Sequence, residues 1–245
     1  MGYAMVLLIT SFYWLLLGRF NRQPVKVSLI FSQAMAVGVS ATPIVAVLCF
    51  SVGMMLAMQG LETLKPYGAQ TQVVTAIAIS VSREFAALIT GIIVAGRSGS
   101  AIAARIASMK ESQELDALQV IGIDPVRYLV APVLLAMIVS LPILTIIGVL
   151  MGMLGGAVYT QYELLMPVAV YMQRSFEAIE VFDLMQGIIK SLVFAVLIVI
   201  VSVVNGFQVS GGAEGIGRGT TRSVVLSISA IVVADMIFTF LLTRL

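Results

Sequence analysis

The sequence predicts an all-α integral membrane protein with about five transmembrane helices, and three observations carry that reading. Of its 245 residues 60% are hydrophobic and only 11% charged, where a soluble surface needs about a quarter. The mean hydropathy is +1.09. The apolar residues gather in runs long enough for the hydrocarbon core, which takes about 20 residues of helix to cross.

The composition also excludes. The chain has no His, which removes Ser-His-Asp triads, His acid-base chemistry and HExxH metal sites together. Cys49 is the single cysteine, so no intrachain disulfide forms. The net charge of +2 falls between apolar runs instead of on one basic face, so nucleic acid is not an expected partner.

In chain order, Tyr3 to Leu17 comes first. No basic residues precede it, and Gly18-Arg19-Phe20-Asn21-Arg22 follows in place of a cleavage site, so it reads as retained and not as a signal peptide. It is short for a span, and residues 1–40 are expected as an N-terminal interfacial region. The spans are expected at 42–60, 71–95, 128–159, 184–207 and 223–242. Pro132 and Pro142 in the third are tolerated where neighbours satisfy the freed carbonyls. The stretch from Gln161 to Asp183, with Glu163, Glu177, Glu180 and Asp183, reads as interfacial.

Basic residues set the orientation. With the N-terminal cluster inside, Arg19, Arg22, Lys26, Arg97, Arg105, Lys110, Arg127, Arg218 and Arg222 share one side, and only Lys65, Arg174 and Arg244 the other. The stretch after Ala95 is therefore cytoplasmic. No repeat period and no matched pair of interrupted spans is present, which argues against an inverted-repeat transporter.

Small residues recur every fourth position where the second span ends: Ala95, Gly99, Ala103 and Ala107, with Gly96, Ser100, Ala104 and Ser108 beside them. Gly148, Gly152 and Gly156 form a similar row in the third span. Such rows let helices approach closely, and packing is preferred over ligand contact.

A short charged helix is expected over 108–121. Ser108-x-x-Glu111 has the capping-box pattern, Gly122 is placed for a C-terminal cap, and Pro125 forbids continuation. Leu115 and Leu118 share a face, and Glu111, Glu114 and Asp116 carry acid. The helix is either a solvated loop helix or a dock for a soluble partner.

Ionisable residues inside spans are expensive and point to function. Arg83 and Glu84 are sequence neighbours and do not face each other on a helix. Asp235 is the expected partner of Arg83 and Lys190 that of Glu84, giving a neutral network across the second, fourth and fifth spans with either an architectural or a coupling role. The glycine-rich stretch 211–221 departs from a P-loop, because Arg218-Gly219 stands where Lys-Ser/Thr is required. It is expected as a flexible turn that does not bind ATP.

Taken together, these features resemble the MlaE (YrbE) family of permease subunits of Mla/Mce-type ABC lipid transporters. The most specific part is AGRSGSAIAARIASMKESQELDALQVIGIDPVRYLVAP (95–132). VGVSATPIVAVLCFSVGMMLAMQ (37–59), the Arg83-Glu84 pair, IKSLVF around Lys190 and GIGRGTTRSVV (215–225) add to it. Gln119 stands where relatives often carry an acid. The resemblance implies an N-terminal elbow helix, a coupling helix at 108–121 docking on a cytoplasmic ATPase, a homodimer enclosing a lipid cavity, and an Mce-domain partner across a bacterial inner membrane. It implies a transport subunit and not an enzyme, with ATP bound and hydrolysed on the partner and no cofactor on this chain. For the cavity, the outer half of the first span and the turn after it offer Leu56, Met58, Leu61 and Leu64; the flexible side chains of Met54, Met55 and Met58 suit variable acyl chains and equally suit core packing. An ion-coupled secondary transporter that relays protons through Arg83, Glu84, Lys190 and Asp235 is the alternative, but leaves the cytoplasmic helix without a purpose. An intramembrane enzyme fits poorly with the absence of His.

Overall fold

The computed structural model describes residues 27–242. The expected interfacial helix at 3–17, with Arg19, Arg22, Lys26 and Arg244, lies outside the described residues. Among the described residues there is no strand, and the helices are α1 (Val27–Leu64), α2 (Gln72–Glu111), α3 (Glu114–Val120), α4 (Val126–Leu164), α5 (Val168–Ala178), α6 (Val181–Gln208) and α7 (Gly212–Leu242). Five of them, α1, α2, α4, α6 and α7, are long and apolar enough to cross a membrane. An expected span falls on each of the five.

The helices outrun the expected spans because hydropathy marks only the part that suits hydrocarbon, while the backbone bonds continue past it. Residues 27–40, expected in the interfacial region, are the start of α1. Nothing between Val27 and Pro43 interrupts its ladder, and Pro43 is itself carried inside the helix. Wider π-type turns interrupt α2 at Val81–Phe85 and Ala95–Gly99, each re-aiming the side chains that follow.

The helix ends show which local signals act. Helix α3 closes as expected at Gly122, which takes φ +79°. Ile123 N–H donates to Leu118 O at 2.9 Å and Gly122 N–H to Gln119 O at 3.0 Å, the bond pair of a Schellman cap. Asp124 Oδ1 then accepts the Val126 N–H at 2.8 Å, with Pro125 set to open α4. The expected start at Ser108 is not used: α2 runs through it, and the break falls at Ser112-Gln113, where Gln113 takes φ +59°. Ser108 O is already engaged by the Ser112 N–H at 3.0 Å, so the capping-box residues belong to the end of a helix. The glycine-rich stretch is likewise no flexible turn. Only Gly211 (φ +98°) and Gly212 (φ +65°) have left-handed backbones, and the residues after them form the first turns of α7.

By contacts, the described chain divides into two compact units. One holds Ala41–Thr90 and Pro142–Leu192, the other the described residues up to Ser40, Gly91–Leu141 and those from Val193 onward.

In the Ala41–Thr90 unit, α1 and α4 meet backbone to backbone. A Cβ on Gly53 would lie 1.8 Å from Gly152 O, and one on Gly155 would lie 2.0 Å from Phe50 O. The row Gly148, Gly152 and Gly156 faces Cys49, Val81 and Tyr171 in turn, so it is a packing row as expected. Ala57, Leu61, Val73, Ile77, Val149 and Met153 form a buried cluster around this contact. The stretch read as interfacial contains α5, which lies against Gln72–Ser80 through the fully buried Tyr171. Burial pushes the Tyr171 hydroxyl up to about 12.

In the other unit, Ala95, Gly99, Ala103 and Ala107 are all buried. A Cβ on Gly99 would stand 3.0 Å from Ser202 Oγ, and one on Gly206 would stand 3.0 Å from Ala103 O, so this row seats α2 against α6. Helix α7 packs on the same stretch of α2, with Ser223 Oγ donating to Ser202 Oγ at 3.2 Å. The neighbouring row is half-buried at Gly96, Ser100 and Ala104 and exposed at Ser108.

The glycines therefore differ in what they tolerate. Gly155→Val drives a side chain into the α1 backbone and is expected to cost about 3 kcal/mol or more, while Gly96→Ala, with no atom within 4 Å of the new carbon, is expected to change stability by less than about 0.5 kcal/mol. Melting temperatures in detergent check both, and equal shifts would refute the close contact of α1 with α4.

Candidate functional site

Two partly buried ion pairs join α2 to α6. Arg83 Nε donates to Asp183 Oδ1 at 2.5 Å, and Lys190 Nζ is paired with Glu84. The side chains of Asp183 and Lys190 are 1% and 0% exposed, and those of Arg83 and Glu84 41% and 30%. Glu84 thus meets its expected partner. Arg83 does not: it pairs with Asp183 and not with Asp235, which lies half-buried on α7.

The geometry explains that choice. Asp183 and Lys190 are seven residues apart on α6, two turns along one face, and the π-type turn at Val81–Phe85 aims the neighbours Arg83 and Glu84 at the two of them. Gly187 stands between, and a Cβ there would lie 2.4 Å from Ser82 O. Asp183 is also the third residue of α6, and its Oδ2 accepts the Glu180 N–H at 3.0 Å. That bond caps the helix, and the carboxylate suits its positive end. Sequence reasoning placed Asp183 among interfacial acids and missed it. The signal was the Asp183, Gly187, Lys190 spacing, one face of a helix with a small residue at its centre.

A cavity of about 310 Å³ opens between α1 and the start of α2. Leu56, Gly60, Leu64, Val73 and Ile77 give it apolar walls, and Gln59, Thr63 and Ser80 supply hydroxyl and amide groups. Of the cavity residues expected from sequence, Leu56 and Leu64 line it. Leu61 does not: it is 2% exposed and belongs to the buried cluster. Met58 lies on an exposed face. Positions 56, 60 and 64 share one helix face, and 58 and 61 are turned away from it.

At the far end of α2, α3 presents a different surface from the expected one. Leu115 is 5% exposed and Leu118 half-buried, so the leucine face is turned into the chain. The residues offered outward are Glu111, Glu114 and Asp116 together with Val120 and Ile121, which are 87% and 67% exposed. Just before the break, Lys110 Nζ donates to Phe207 O at 2.7 Å and Val209 O at 2.8 Å. It satisfies carbonyls at the end of α6 and places a cation at that helix's negative pole.

The Glu84–Lys190 pair yields a double-mutant cycle. Glu84→Leu alone removes a carboxylate partner from a buried ammonium and is expected to cost about 3 kcal/mol, whereas Glu84→Leu with Lys190→Met is expected to cost less than the sum of the two single changes. Reversible denaturation in detergent measures the coupling; additive single costs would mean that the pair is not coupled.

The comparisons with known proteins agree on one family. A family model described as Permease MlaE matches residues 30–241. A probable ABC transporter permease protein of Rickettsia typhi is 35% identical over 91% of this chain and 86% of its own length. The intermembrane phospholipid transport system permease protein MlaE of Haemophilus influenzae is 30% identical over 86% of this chain and 81% of its own. The chloroplastic protein TRIGALACTOSYLDIACYLGLYCEROL 1 of Arabidopsis thaliana is 34% identical over 76% of this chain and 53% of its own. The match takes in α1 to α7 almost entirely, with the ion pairs, the cavity and the charged helix inside it, and the chain belongs to the MlaE permease family.

Proposed function

We propose that this chain, set in the bacterial inner membrane, moves phospholipid or a related lipid between the inner and outer membranes, working as a homodimer with an Mce-domain protein on the far side. Membership in an ABC permease family makes it a transport subunit, and on this reading a separate ATPase binds and hydrolyses the ATP. The observation that carries the lipid reading is the cavity between α1 and α2. Its walls are apolar, its few polar groups are uncharged, and it is set in helices that suit a membrane. At 310 Å³ it stands at the low end of the ~300–1,000 Å³ of small-ligand sites. A two-chain lipid needs more room, which a second copy facing the first would supply.

Drive enters at the other end of α2. Its 40 residues carry the cavity wall, both α2 members of the ion pairs, the close-packed row and the break before α3. A partner that shifts α3 pulls on α2 directly. Through Lys110 it pulls on the end of α6 as well.

The dock is tested with Val120→Asp combined with Ile121→Asp. The ATPase is expected to stop co-purifying while the melting temperature of the permease holds, because both side chains are outside its own core; retention of the ATPase would place the dock elsewhere. Leu115→Asp would damage the fold itself and cannot serve.

The cavity is tested with Ala76→Trp, which fills it from an exposed wall position. Lipid transfer between vesicles is expected to fall about tenfold or more, the scale of losing one good apolar subsite, with ATPase binding intact. Unchanged transfer would remove the cavity from the path.

A further inference from the structure

We propose a second lipid site in this chain, a pocket that holds one anionic phospholipid at the basic end of α2. The pocket has a volume of about 370 Å³ and is walled by α1, α2 and α4 within one compact unit. It shares no residue with the cavity assigned to transport.

Its chemistry is two-part. Val37, Ile102, Ile106, Leu129 and Val133 line it with hydrocarbon, while Arg97 and Arg105 border it with guanidinium groups and Gln33 adds an amide. Arg97 Nη1 donates to Ala36 O at 3.4 Å, which uses one of its five donors and no charge. Among the described residues, neither arginine has a carboxylate within ion-pair distance. The sequence shows that none is available on the walling segments. The first acid of the whole chain is Glu62, none stands between Glu84 and Glu111, and none between Asp124 and Glu163. Two arginines beside an apolar pocket therefore lack an anion that this part of the chain does not contain.

Position decides what supplies it. Arg97 is two residues beyond the expected end of the apolar span at Ala95, and Arg105 is eight residues further, about 12 Å along the helix. The pocket thus straddles the boundary between hydrocarbon and headgroups. There an anion with an acyl chain uses both halves of the site, the phosphate bridged by planar guanidinium forks and the chain laid against Ile102 and Leu129. A soluble anion would leave the apolar wall unused. Basic groups at this depth also sit where the leaflet's negative surface potential is strongest.

The test uses full-length protein extracted from vesicles of equal phosphatidylglycerol and phosphatidylcholine, with retained lipid counted by native mass spectrometry. Phosphatidylglycerol is expected to be retained over phosphatidylcholine. Arg105→Gln and Arg97→Gln should each lower its retention about tenfold, the scale of one charge-assisted contact, and Ala101→Trp should abolish it, all with unchanged melting temperatures. Ala76→Trp, which fills the other cavity, should leave the Arg105-dependent fraction in place. Equal retention of the two lipids, indifference to Arg105→Gln and Ala101→Trp, displacement by inorganic phosphate, or loss of the fraction in Ala76→Trp would each overturn the proposal.

Discussion

The contact on which the Ala41–Thr90 unit depends is the approach of α6 to α2 at Gly187 and Ser82. Without a side chain at 187 the backbones come close enough for Arg83 and Glu84 to reach Asp183 and Lys190 on either side of the contact. A larger residue there would part the helices and leave Lys190, whose side chain is fully buried, far from its counter-charge. A pair of this kind adds little net stability over apolar residues of the same shape, since desolvating the ions offsets most of their attraction. What it fixes is register. Two pairs of opposite polarity, Arg–Asp at one turn and Glu–Lys two turns on, are both satisfied in one rotation and one translation of α6 along α2. A slip by one turn sets like charges together or leaves charges bare in an apolar setting, where they are most expensive.

The same economy of small residues recurs where no charge is involved. Gly53 and Gly155 let α1 and α4 touch at backbone distance, and Gly99 and Gly206 do so for α2 and α6. In lipid the hydrophobic effect does not drive helices together, so dispersion at short range has to. Close contact raises the number of atoms at optimal distance and leaves little room for sliding. Helix α2 makes such contacts at both its halves, and its one internal freedom is the pair of π-type turns, set beside the ion pairs and at the start of the close-packed row. Those turns mark where α2 departs from a plain rod.

Much of this was legible in the sequence, and the misses share a cause. Apolar runs located the five spanning helices, four-residue spacing located the packing rows, and Gly122 located a cap, because each signal depends on local geometry alone. Asp183, Leu115 and the glycine-rich stretch were misread because each depends on what lies across from it. An acid at the start of a span looks interfacial until its partner on another helix is known. A leucine face on a short exposed helix looks like a docking face until the chain is seen to bury it, leaving Val120 and Ile121 outside. Glycines in series look like a flexible turn, yet only two of them needed left-handed backbone, and Gly215 and Gly219 let the first turns of α7 lie close to Ser210 and Val209.

The distribution of charge carries the argument one step further. The four charges at the α2–α6 contact neutralise each other within the chain. At the basic end the rule changes. Lys110 is satisfied by carbonyls, Arg97 and Arg105 stand on segments without acids, and the acids of α3 are turned outward with two exposed aliphatic side chains beside them. Where water and headgroups are at hand, unpaired charge is cheap to keep and is free to meet something outside the chain. Internal pairing along the α2–α6 contact, and charge left without a carboxylate at the basic end, divide the charges of this membrane subunit by what surrounds them.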